Sequence, residues 1–222
     1  SLGLMLGVAT LIVVLSVMNG FERELRTRIL SVTSHATLMG LHGSLRDWRA
    51  IQDFAARQPG VTAAVPYIES EALLTNGKRV TGSMVRGVLP EEERKATGLA
   101  QHLKAGSLQD LQAGAYNIIL GVALARALDV DVGGTVIVMA PEGTATPTGV
   151  VPRMRRFRVT GLFESGMFEF DNGLALVHMS DAAKLYQLGD AVTGIRMALA
   201  DPLRAPSAVR ELALSLGGEG FY

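Results

Sequence analysis

The first 32 residues constrain this chain more than any other stretch, because an uncharged apolar run passes directly into the charged but equally helix-compatible segment FERELRTRILSV. Residues 2–18 carry no charge, and Thr10 and Ser16 are their only hydroxylic side chains. A helix of this run offers hydrocarbon on every side. At about 1.5 Å per residue it covers roughly 26 Å, just short of the ~30 Å core of a bilayer. Asn19, Gly20 and Phe21 lead into more helix rather than into a small-residue cleavage site, which argues for a retained membrane span over a secretory signal. The run is barely long enough and starts at Ser1, so the expectation is the end of a span that has lost its first turns.

Past Gly20, Phe21, Leu25, Ile29 and Val32 recur at helical spacing, while Glu22 with Arg26 and Glu24 with Arg28 make i,i+4 pairs of favourable polarity on other faces. Two readings stand. In one, residues 1–32 are a span continuing as a rigid amphipathic stalk; in the other, a plain anchor breaks at Gly20 and an ordinary surface helix follows.

Residues 33–222 are enough to bury a core as one large domain or two small lobes. The 21 basic and 21 acidic residues cancel, leaving no long-range field that favours nucleic acid. Cysteine is absent, which removes thiolate catalysis, thiolate metal sites and disulfides. The pattern predicts a helix over 44–58, capped by Ser44 and Asp47 and ended by Pro59-Gly60. Strands are predicted over 61–65 and 67–75, with Asn76-Gly77 turning into a further strand over 79–88. Further strands are predicted over 116–120, 135–139, 156–163, 174–178 and 193–199, and helices over 122–128, 180–188 and 206–216. Strands and short helices mix throughout, so the fold class is α+β.

The residues offer little for catalysis. His35, His42, His102 and His178 are scattered, without ligand spacing. Neither a nucleophile elbow nor a phosphate-binding loop occurs. Glu164, Glu169 and Asp171 crowd one loop and read as a solvated acidic turn. No catalytic residue and no metal site is expected.

More informative is the stretch APEGTATPTGVVP over 140–152, too rich in Pro, Gly and Thr for a helix or a central strand, followed at once by Arg153, Arg155, Arg156 and Arg158. It reads as a long exposed loop with a basic root. Proline reduces the entropy lost on binding, and arginine makes bidentate bonds to carboxylates, so the loop is either a docking element or a solvated decoration.

The segment LSVMNGFERELRTRIL over 15–30 resembles the end of the first span in the transmembrane subunits of the bacterial lipoprotein-releasing ABC transporter, the LolC/LolE family. The resemblance continues through QPGVTAAVPYI, YNIILGVALARALDVDVGG, TPTGVVPRMRRFRVTGLF and DAVTGIRMAL, and so covers nearly the whole chain. It implies the end of a transmembrane helix continuing into a stalk, then a two-lobed α+β periplasmic domain of the MacB-like kind with a hook loop at 140–156. The front half looks more like LolE and the loop more like LolC, a mixture similar to the single-subunit LolF-type hybrid, which works as a homodimer. Related architectures that share the anchor and lobes are MacB-like efflux and cell-division-type permeases. A single-anchor extracytoplasmic enzyme or binding domain is the more distant alternative.

The family resemblance also implies partners and sites. ATP and Mg are bound by a separate cytoplasmic ATPase subunit, LolD-like, and this chain holds no cofactor. A second transmembrane subunit, identical or homologous, completes the membrane part. The substrate is an acylated lipoprotein, extracted from the inner membrane and given to the periplasmic carrier LolA. TPTGVVPRMRRF resembles the carrier-binding hook, which assigns Pro147, Gly149, Pro152 and Arg155, with Arg153 and Arg156 as weaker positions. The lipid chains and membrane lipid are expected near Val13, Val14, Val17, Met18 and Phe21.

Overall fold

The computed structural model describes residues 2–32, 36–40, 43–146, 149–201, 210 and 214. Six helices and nine strands alternate along the described residues: α1 (Leu2–Val32), β1 (Ala36–Met39), α2 (Trp48–Ala56), β2 (Val61–Asn76), β3 (Arg79–Val88), α3 (Pro90–Ala96), β4 (Leu103–Ala105), β5 (Asn117–Gly121), α4 (Val122–Leu128), β6 (Thr135–Thr146), β7 (Gly149–Phe163), α5 (Phe168–Gly173), β8 (Leu174–His178), α6 (Met179–Tyr186) and β9 (Gly194–Leu199). Of the helix predicted over 206–216, only Arg210 and Leu214 are described, both helical; its other positions lie outside the described residues.

Helix α1 runs through Gly20 without a break. Its described apolar stretch, residues 6–21, is exposed throughout. Sixteen residues cover about 24 Å, less than a bilayer core. Among the described residues, no helix is long and apolar enough to cross a membrane. The helix touches the rest of the chain at the 3-10 turn Gly98–His102.

Strand β2 organises everything beyond α1, because its two halves serve different sheets. Its first half pairs antiparallel with β9 (Val65↔Arg196, Tyr67↔Gly194), and β9 pairs with β1 (Leu38↔Ile195). This three-stranded sheet has α2 on one face, where Trp48 and Ala55 are buried, and α3 on the other, where Ala96 meets Ala63, Val65 and Ala198. Helix α3 is tied down by a buried ion pair: Arg196 donates to Glu93, both almost without exposure. The guanidinium also lies 5.2 Å from the centre of the Tyr67 ring. Its Nε and Nη1 find no hydrogen-bond acceptor among the described residues, so the ring's negative face supplies their electrostatic partner. Burial, with Glu69 nearby, pushes the Tyr67 hydroxyl up to about 12.

The second half of β2 belongs to a closed circuit. β2 pairs with β3, β3 with β8, β8 with β5, β5 with β7, β7 with β6, and β6 back onto β2 through Leu73↔Met139 and Thr75↔Ile137. Closure leaves these six strands no free edge over the paired residues, the principal hazard of an exposed sheet. Alternation sends Leu74, Val85, Ile118, Leu120, Val136, Val138, Phe157, Val159, Ala175 and Val177 into one core. Helices α4 and α6 each pack across several barrel strands. At Gly87 an added Cβ stands 2.6 Å from the Ala182 side chain, so α6 sits close because that residue is glycine.

Local details differ from expectation where polar side chains find other work. Helix α2 starts at Trp48, with Asp47 left-handed and making no side-chain cap, so the capping box expected from Ser44 does not form. The β2–β3 turn is made by Gly77 and Lys78, since Asn76 already pairs with Arg79; the positive φ falls at Gly77. Asp171 is not in a solvated acidic turn. It is buried and accepts hydrogen bonds from Ser165 N (2.7 Å), Ser165 Oγ (2.8 Å) and Gly166 N (3.0 Å). Asp181, fully buried, accepts from Gly114 N and Tyr116 N.

Candidate functional site

The stretch expected to be an exposed loop is a β-hairpin arm. Strands β6 and β7 pair from Thr135↔Arg158 to Met139↔Met154 within the barrel and resume at Gly143↔Pro152, ending at Thr146↔Gly149. Between the two segments β6 advances four residues while β7 advances two, a bulge that bends β6 where the barrel ladder passes into the arm. Pro141 falls in the bulge and Pro152 on an outer strand with a free edge, the two settings in which strands accommodate proline. Pro147 lies outside the described residues. Gly149, on the far side of the tip, has φ +135°, a conformation that L side chains rarely adopt.

Alternation divides the basic root. Arg155 stands opposite Val138 and shares its side of the ladder with Arg153, while Arg156 stands opposite Ile137 on the other side with Met154. Arg153 is half-buried and committed: its guanidinium donates to Tyr186 O (3.2 Å) at the end of α6 and to Gly143 O (3.4 Å). A cation at a helix C-terminus is also favoured by the helix dipole. Arg153 therefore anchors the arm, whereas Pro152, Arg155 and Arg156 are exposed. Single-sequence reasoning had no means of separating these arginines, because α6, which lies 33 residues from Arg153 at that contact, makes the distinction.

The second set of expected residues lies on α1. Val13, Val14, Val17, Met18 and Phe21 are all at least half exposed. They form part of an exposed helix surface that is apolar apart from Thr10, Ser16 and Asn19.

His178 serves neither set. Its Nδ1 accepts the Ser180 N–H (3.1 Å), which caps α6 and fixes the neutral ring with its proton on Nε2. Burial lowers its pKa, with Asp181 opposing and Lys184 adding to the shift. Among the described residues, no group of three or more His, Cys, Asp or Glu is arranged to hold a metal ion.

A split sheet sharing one long strand, with a hairpin arm rising from its barrel, defines the class. The family model for the MacB-like periplasmic core domain matches residues 1–214, and the chain belongs to that family. Within it the sequence falls with the LolC/LolE transmembrane proteins. The lipoprotein-releasing system transmembrane protein LolC of Neisseria meningitidis serogroup B is 46% identical over 95% of this chain and 51% of the relative. LolC of Xylella fastidiosa strain 9a5c is 47% identical over 98% of this chain and 52% of the relative. The chain thus spans about half the length of the curated relatives it matches. The fold is similar to the periplasmic region of MacB from Actinobacillus actinomycetemcomitans, with a TM-score of 0.55 and 15% identity over 84% of this chain and 86% of that one.

Proposed function

We infer that this chain is the membrane-proximal helix and periplasmic domain of a LolC-type subunit in the bacterial inner membrane, with most of its residues in the periplasm. The whole transporter extracts acylated lipoproteins from that membrane and hands them to the carrier LolA. A cytoplasmic ATPase subunit binds ATP and Mg and supplies the energy, and a second transmembrane subunit, identical or homologous, completes the assembly. This chain itself performs no catalysis. Val13, Val14, Val17, Met18 and Phe21 face membrane lipid and the substrate's acyl chains, and LolA docks on the arm.

The observation that carries this reading is the arm. Its bend and the Arg153 anchor fix the root, and Gly149, Pro152, Arg155 and Arg156 are presented to solvent. A preorganised hairpin loses little entropy on docking, and exposed arginines favour an acidic carrier surface. Binding of purified LolA to the whole chain in lipid nanodiscs tests it. Arg155→Glu and Pro147→Gly are each expected to weaken binding at least about tenfold, or roughly 1.4 kcal/mol. Docking on the arm is rejected by a folded chain that does not bind LolA, or by binding that neither substitution alters.

A further inference from the structure

A cavity of about 690 Å³ opens at the root of the arm. One wall comes from β2 and β3, with Leu73, Gly82 and Met84; the other comes from the bent stretch of the arm, with Met139, Pro141 and Pro152. A molecule held here touches barrel and arm together. The volume lies within the roughly 300–1,000 Å³ of small-molecule sites. Two methionines give the wall an adaptable, polarizable surface.

The lining selects the chemistry of the occupant. Among the described residues that line it, Glu71 is the one charged side chain, so no cation is present to balance a phosphate or carboxylate. Ser83 supplies the one hydroxyl, and that hydroxyl already donates to Gly173 O at 3.1 Å. A sugar or a peptide backbone therefore finds few side-chain partners there, whereas hydrocarbon needs none. The apolar surface also has a direction. Leu73 stands opposite Met139 and Met139 opposite Met154, forming one cross-strand row from the cavity to β7 at the root of the arm. Leu73 and Met154 are 48% and 46% exposed. The row is continuous with the surface on which the carrier docks in the reading above.

We propose that this cavity holds a fatty acyl chain of the lipoprotein between its departure from the membrane and its entry into the carrier. The inference rests on the lipoprotein-releasing reading and adds a way station on this chain's own surface. Occupancy couples loading to the arm, because the bend that aims the arm forms one wall of the cavity.

The test uses the whole chain in nanodiscs and a synthetic diacylated lipopeptide with a diazirine at the end of one acyl chain. After photolysis, mass spectrometry of the peptides is expected to find label within residues 71–84 and 139–154. Competition by unlabelled acyl amides should strengthen about fourfold per added methylene, as burial of each group requires. At Gly82 an added Cβ meets nothing within 4 Å, so Gly82→Phe fills the cavity without a clash at its root. That variant should lose at least about tenfold of the label while keeping its melting temperature and its LolA binding. Leu73→Asp, at an exposed position, provides a second block should the phenylalanine disturb folding.

Label confined to α1, or label in 71–84 that ignores both chain length and the blocking variants, overturns the proposal. LolA binding is measured separately on the same preparations. Loss of the way station is thus distinguishable from failure of the docking reading.

Discussion

Strands β6 and β7 run through two environments in succession. Inside the barrel, Val136, Val138, Phe157 and Val159 are at most 1% exposed, and each strand has a partner on both sides. Beyond the bulge the same strands have only each other among the described pairings, and Val151 is 54% exposed. The ladder is the same kind of structure in both places, yet its support differs. In the barrel, burial of apolar surface at about 25 cal/mol per Å² holds the strands. In the arm that term is small, so conformational restriction and the Arg153 anchor must substitute for it. An arm built this way stays accessible, because its order does not depend on covering its own surface.

The largest contrast is expected from paired substitutions in the two environments. The Phe157 ring is fully buried and meets Tyr116 edge-on, with ring centres 5.5 Å apart. Phe157→Ala should cost about 3–5 kcal/mol of unfolding free energy. Val151→Ala, on the same strand, should stay within about 0.5 kcal/mol. Urea unfolding of both variants measures the difference; similar losses would mean that the arm is part of the core after all.

A smaller effect separates the arginines of the root. Arg153→Ala removes two charge-assisted hydrogen bonds at a half-buried site and should cost about 1 kcal/mol. Arg155→Ala should cost almost nothing in stability. Amide hydrogen exchange gives the sharper readout. Loss of Arg153 should raise exchange across residues 143–152 and leave barrel amides protected. Equal behaviour of the two variants would show that the arm is held by its turn alone.

These contrasts also explain what the amino-acid order reveals unaided. Strand β8 is legible to the residue, because LALVH is a short apolar run closed at its far end by a helix start. The β2–β3 hairpin is legible from Asn76-Gly77, although the register moves the turn by one residue. The arm is misread as a loop because proline, glycine and threonine argue against a central strand, and a two-stranded projection escapes that objection. Barrel closure leaves no local sign, since it depends on β6 meeting β2 66 residues away in the chain (Leu73↔Met139). The cavity is invisible for the same reason, its walls coming from four strands and the end of α5. Arg153 and Arg155 look alike in sequence, and only the position of α6 tells the anchored side chain from the exposed one.

The smallest expected effect asks whether α6, to which the arm is tied, responds to pH through the histidine that caps it. His178 must be neutral to accept the Ser180 N–H, and burial already holds its pKa below the ordinary value of 6.5. The unfolded chain therefore takes up a proton more readily than the folded one. The stabilisation from the neutral ring is complete above a pH of about 6.5 and is lost as pH falls from there toward the folded-state pKa. Asp181 opposes the shift and Lys184 reinforces it, so the window belongs to the three groups together. His178→Asn retains a side-chain acceptor for the cap without titrating. Wild-type stability should fall relative to that variant as urea midpoints are followed downward from neutral pH, while above neutrality the difference stays constant. Parallel pH profiles would show that the cap survives protonation by rotating the ring, and α6 would then offer the arm a support indifferent to acidity.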